Sequence, residues 1–275
     1  MNSRIGKIWL IAGYTFLYLP ILTLIIFSFN DSKMVTLWGG FTMKWYGVIA
    51  HDDAVLDAFS LSMKIAFSSA CLSVLLGTLA AFAMVRYRKF WGRGLFAAHL
   101  NAPLVVPEVI TGISLLLFFV MLDLERGFYT IVAGHTLVGL AFATVIIQSR
   151  LVEMDKSIEE AAMDLGAKPF EVFYLVTLPM ISQSLMAAWL LTFTISLDDV
   201  VATAFLNGPG STTLPLLILS RARLGLNPTI NAIATITVVV VAVGVIASSL
   251  YLSKQARKRQ AEEAAAYKEG LAAAH

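Results

Sequence analysis

The chain has 275 residues, 58% of them hydrophobic and 14% charged, with a formal net charge of +2 at pH 7 and a mean hydropathy of +0.79. So little charge excludes an ordinary soluble domain, in which about 25% of residues are charged. With no basic stripe it excludes nucleic acid as a partner, and the one cysteine, Cys71, excludes an intramolecular disulfide.

The composition predicts an all-α integral membrane protein. Six stretches suffice to cross a hydrocarbon core, which takes about 20 apolar residues; they lie near 8–29, 58–85, 95–122, 129–149, 180–204 and 230–252. The first is too long for a signal-peptide core and has no A-x-A-like cleavage site after it, so it reads as a retained span, with Pro20 expected to kink it. The outer loop that follows holds FTMKWYGVI. There Trp45 and Tyr46 are read as part of an aromatic membrane belt, with stacking on a substrate cation as the alternative. Lys64 falls near the outer end of the second span.

The third span contains PLVVPEVITG. Pro103 and Pro107 each remove a helix donor, so the span is expected to break there. Glu108 then starts the outer half-helix, where the positive helix end favours its carboxylate, and Thr111 and Gly112 extend a small polar face from it. Ionisable residues inside spans are costly and default to functional candidates. His51, His99 and His135 show no ligand-like spacing, so no metal is expected.

Residues 152–179 between spans 4 and 5 differ in kind. Ser157 and Glu160 fit a capping box that would start a helix at Ile158. Gly166 interrupts it, Lys168-Pro169 restarts it, and PFEVFYLVTL runs to Pro179, which opens span 5. Ala161 and Ala162 leave one face nearly bare. Span 5 carries Asp198 and Asp199, expected to sit about 100° apart on one helix, so that one faces the substrate path and the other meets a partner subunit or pairs with Arg221 or Arg223. At about 1.5 Å per residue, Glu108 and the Asp pair lie roughly 20 to 24 Å from the cytoplasmic ends of their spans. Residues 205–229 read as a turn-rich outer loop, NGPGSTTLP, and 253–275 as a solvated helical tail.

Cations set the orientation. Arg4 and Lys7, then Arg86, Arg88, Lys89 and Arg93, then Arg150, Lys156 and Lys168, and finally Lys254, Arg257, Lys258 and Arg259 all fall on one side of six crossings. The opposite loops mix their cations with acids. Both termini and the 152–179 segment are therefore expected in the cytoplasm.

Glu160-Ala161-Ala162, three residues, Gly166, nine residues, then Val176-Thr177-Leu178-Pro179 resembles the EAA signature of bacterial ABC importer permeases, with valine where isoleucine is usual. Most of the chain resembles the polyamine permease subunits of that family, through FSFNDSK, GFTMKWY, SIEEAAMDLGA, SLDDVV, GPGSTTLP and NPTINAIAT. The resemblance implies a single type I permease domain over 1–275 in the bacterial inner membrane. It also implies a second homologous permease, two ATPase subunits that bind the ATP and Mg, and a periplasmic polyamine-binding protein. Glu159, Glu160, Ala161, Ala162, Asp164, Gly166, Leu178 and Pro179 would form the ATPase socket, and Glu108, Asp198, Asp199, Thr111, Trp45 and Tyr46 would line the path for putrescine or spermidine. No phosphate loop occurs in this chain, so no cofactor of its own is expected. A permease for another solute is the alternative, although an anion path would call for cations in spans 3 and 5. An intramembrane enzyme lacks its constellation, since neither a nucleophile elbow nor H-E-x-x-H is present.

Overall fold

The computed structural model describes residues 4–32, 34, 37–87, 89–225 and 227–273, with side chains from 6 to 250 in those ranges and at Ser253 and Lys254. Arg88 and the side chains of Arg4, Arg257, Lys258 and Arg259, all used above for orientation, lie outside them. Among the described residues the fold is helical, with one isolated β-bridge between Asn30 and Phe41.

Helix α1 (Arg4–Phe27) runs on through Pro20, and α2 (Lys44–Ala50) is a short outer helix. The long α3 (Asp53–Arg86) starts on the Asp52 side chain, which accepts from the Val55 N–H. Then come α4 (Arg93–Val105), α5 (Glu108–Met121) and α6 (Phe128–Glu153). On the following segment sit α7 (Ser157–Asp164), α8 (Pro169–Val172), a π-helical turn (Phe173–Thr177) and α9 (Leu178–Met180), leading to α10 (Ser182–Asp198). The chain finishes with α11 (Val201–Leu206), α12 (Leu214–Leu224) and α13 (Pro228–Ala273), which continues the last apolar run straight into the tail.

Among the described residues, four helices are long and apolar enough to cross a membrane, or up to six if each of two bent pairs makes one crossing. The pairs are α4 with α5, bent by 115°, and Pro169–Met180 with α10, bent by 69°. Pro107 explains the first break: the chain turns extended at Val106 and Pro107, and α5 starts immediately after.

The bundle is organised on α3, α6 and α10. Small residues let α3 and α6 approach closely: a Cβ on Gly77 would stand 2.8 Å from Ala143 Cβ, and Gly139 faces Ser73. Ala81, Val85, Ile147, Leu151 and Ile181 fill one end of this interface, and Ile65, Phe119, Ile131 and Leu206 another region. Helix α1 buries none of its apolar length within the chain.

Three expectations change. The stretch 205–229 is not merely a loop, because the turn at 207–213 leads into α12, whose first N–H, on Leu214, donates to Ser62 Oγ at 2.8 Å. Arg221 on that helix pairs with Asp52 at 2.8 Å rather than with either span acid, and its guanidinium holds the Asp52 carboxyl below the usual carboxylate range. The predicted Ser157–Glu160 capping box does not form; the Asp155 carboxylate instead accepts the Ser157 N–H at 3.0 Å, which holds its pKa low.

Candidate functional site

Two regions gather the predicted residues. In the first, Glu108 opens α5 directly after the Pro107 break. Span 5 breaks as well, which the sequence reading missed: α10 ends at Asp198, Asp199 is extended, and the chain restarts as α11. Asp199 accepts the Thr203 N–H on Oδ1 at 3.0 Å, so its carboxylate caps the restart. The expected 100° helical relation between Asp198 and Asp199 therefore does not apply.

The two aspartates part company at this break. The Asp199 side chain is 8% exposed, with Oδ2 at 3.7 Å from His135 Nε2, and its carboxyl faces that of Glu108. Asp198 lines a cavity of about 770 Å³ whose other walls are mostly apolar side chains such as Leu197, Val200, Leu214, Ile218 and Val241. The helix halves are held in register by close packing, since Gly112 on α5 lies against the ring of Phe205 on α11. All three carboxyls lie within electrostatic reach of one another. Three carboxyls so close relieve their repulsion either by sharing a proton or by admitting a cation, and ammonium groups fit by charge-assisted hydrogen bonds.

His135 is the residue that sequence reasoning passed over. Its side chain is 2% exposed, with Nδ1 2.7 Å from Ser196 Oγ and Nε2 3.0 Å from Thr203 Oγ1. Ser69 of α3 donates to Ser196 at 2.9 Å. The ring thus ties α6 to both sides of the α10–α11 break and backs Asp199. The only signal in the sequence was an intramembrane histidine, and the search for metal-ligand spacing discarded it.

Trp45 and Tyr46 are not with the acids. Trp45 is buried in a cluster with Ile49, Val55, Leu214 and Ile233 and donates its indole N–H to the Asn30 carbonyl at 2.7 Å; the Tyr46 hydroxyl bonds Ser28 at 2.6 Å. Both hydrogen-bond within the chain and anchor α2. Thr111 sits half-buried on α5, one turn beyond Glu108.

The second region is the segment from Ser157 to Pro179. Gly166 has φ +94, the left-handed conformation that favours glycine. Its N–H donates to Met163 O at 2.9 Å and that of Ala167 to Ala162 O at 3.1 Å, a Schellman stop for α7. The Lys168 N–H donates to Glu171 at 2.8 Å as the chain restarts at Pro169. Glu160, Ala161, Met163 and Asp164 point outward, with Leu165 91% exposed and Phe170 76%. Large apolar side chains this exposed beside carboxylates form a surface suited to a protein partner. Glu159 alone on α7 turns inward, while Leu178 is half-buried and Pro179 exposed.

Residues 73–259 match the family described as "Binding-protein-dependent transport system inner membrane component". The chain is 49% identical over 258 residues to the putrescine transport system permease protein PotI of Escherichia coli strain K12, covering 91% of each. It is 40% identical over 239 residues to the spermidine/putrescine transport system permease protein PotC of the same strain, covering 87% of this chain and 90% of the relative. Among solved structures, a bacterial ABC transporter that imports the acidic polysaccharide alginate superposes with a TM-score of 0.70 at 17% identity, over 91% of this chain and 99% of that one.

Proposed function

The chain belongs to the binding-protein-dependent transport system inner membrane components, and from that premise we propose that it forms one half of an ATP-driven import path for polyamines. The observation that carries the reading is the meeting of Glu108 and Asp199 at the breaks of two spans. Asp198 adds a carboxylate to a cavity that is otherwise largely apolar. A diammonium chain needs both features, acids for its ends and apolar walls for its methylenes. The similarity to PotI and PotC supports the same substrate class.

With α4 and α5 making one crossing and α10 continued through α11 making another, the chain crosses six times with both termini cytoplasmic, so the whole chain is one permease domain. The outward face of α7, carrying Glu160, Ala161 and Asp164, seats a partner ATPase that binds the ATP and Mg. A second homologous permease completes the path, a second ATPase docks on it, and a periplasmic binding protein delivers the polyamine. The test is deletion of this gene in its own cell, followed by uptake of labelled putrescine, spermidine and a neutral sugar. Loss of polyamine uptake alone is expected. Unchanged polyamine uptake with loss of another solute overturns the substrate assignment.

A further inference from the structure

Helix α7 packs chiefly on α8 and the π-helical turn, and its outward face is left for the ATPase. Its inward face carries a single charge. Glu159 Oε2 lies 2.8 Å from Arg86 Nε, while Oε1 accepts from Arg86 Nη2 at 2.9 Å and from Thr177 Oγ1 at 2.7 Å. Both partners of the ion pair have side chains only 11% exposed. Arg86 also reaches the Leu151 carbonyl near the end of α6, at 3.5 Å. The π-helical turn places Thr177 at this point, fully buried, and single π-turns recur at functional sites.

Arg86 is the last residue of α3. Further along the same helix, Ser69 bonds Ser196 on α10 and Ser62 bonds the first N–H of α12, the helices that flank Asp198. The Arg86 guanidinium is held to both Glu159 oxygens, by one hydrogen bond from Nη2 and a close charge contact at Nε, so a shift of α7 carries the end of α3 with it. Resting on the reading of α7 as the ATPase socket, we propose that Arg86, Glu159 and Thr177 form the transmission link by which movement of the ATPase reaches α3 and, through it, the acid cluster. Arg86 is thus a positioning residue for transport, acting through Glu159, and touches neither substrate nor ATPase.

The experiment uses the complete transporter in proteoliposomes, with ATPase co-purification, ATP hydrolysis and labelled putrescine uptake measured on the same preparations. Arg86→Gln and the near-isosteric Thr177→Val keep the outward face of α7, so the ATPase still co-purifies. Putrescine taken up per ATP hydrolysed falls about tenfold in Arg86→Gln, because the link has lost its charge pairing. The charge-swapped pair Arg86→Glu with Glu159→Arg recovers most of the loss that Arg86→Glu shows alone, as a direct coupling requires. Unchanged uptake per ATP in both Arg86→Gln and Thr177→Val overturns the proposal, and so does a swap no better than Arg86→Glu alone. If Arg86→Gln fails to accumulate, Arg86→Lys and Thr177→Val decide by the same ratio. Failure of the underlying socket reading looks different, since Glu160→Arg would then leave ATPase co-purification and uptake intact.

Discussion

Replacing Asp199 with asparagine separates two roles of one side chain. Its Oδ1 caps α11 through the Thr203 N–H at 3.0 Å, and an amide oxygen takes the same bond, so Asp199→Asn costs the fold at most a few tenths of a kcal/mol. Asp199→Ala loses the cap, about 1 kcal/mol. Both remove the charge that stands opposite Glu108. A hydrogen bond to a charged group contributes about 1.5 to 3 kcal/mol, which converts to a roughly 10- to 100-fold drop in uptake at low polyamine concentration. The assay pairs initial uptake rates of labelled putrescine in proteoliposomes with thermal unfolding of the detergent-solubilised complex. Asp199→Asn is expected to unfold like the parent while transporting like Asp199→Ala. Parental uptake in Asp199→Asn, with loss confined to Asp199→Ala, would reduce Asp199 to a helix cap and refute the cation-binding argument.

Gly166→Ala meets no atom within 4 Å, so its effect is the backbone strain at φ +94, about 1 to 2 kcal/mol; ATPase co-purification is expected to fall several-fold, with the unfolding temperature lowered by about a few degrees. Gly77→Val is expected to force α3 from α6, since even a Cβ stands 2.8 Å from Ala143; a cost of about 1 to 3 kcal/mol should appear as a lowered unfolding temperature. The Asp52–Arg221 pair is partly exposed and contributes under about 1 kcal/mol. Because Arg221 depresses the Asp52 pKa, that contribution is complete above the unfolded value of about 3.9 and lost as pH falls through the folded one. The difference in unfolding temperature between the parent and Arg221→Gln should therefore be constant near neutrality and vanish in acid.

Much of this architecture was legible in the chain because membrane physics writes it in long strokes. Apolar runs mark the long helices, Pro107 marks the break before Glu108, and the Gly166 and Lys168-Pro169 signals mark the two-piece segment between α6 and α10. The break at Asp199 was not legible, since SLDDVV contains neither glycine nor proline. Its cause is tertiary, with His135, Ser196 and Thr203 holding the interruption from neighbouring helices. Helix α12 was hidden for a related reason: NGPGSTTLP announces a turn, and only the contact of Leu214 with Ser62 shows where the following helix rests. Trp45 and Tyr46 looked like interfacial aromatics, whereas their hydrogen bonds to Asn30 and Ser28 fold them into a local anchor. The distinction between Glu159 and Glu160 also needed coordinates, because two adjacent glutamates are equivalent until a long-range partner, Arg86, selects one.

The most direct test of the polyamine path is transport by purified parts. This chain, its second permease, the ATPase and the binding protein are reconstituted together, and ATP-dependent accumulation of labelled putrescine and spermidine is measured with and without Glu108→Gln combined with Asp199→Asn. Accumulation of at least one polyamine by the parent, abolished in the assembled double variant, is the expected result. Accumulation of neither polyamine by an assembled complex that hydrolyses ATP and takes up another solute, or undiminished polyamine uptake by the double variant, would contradict it.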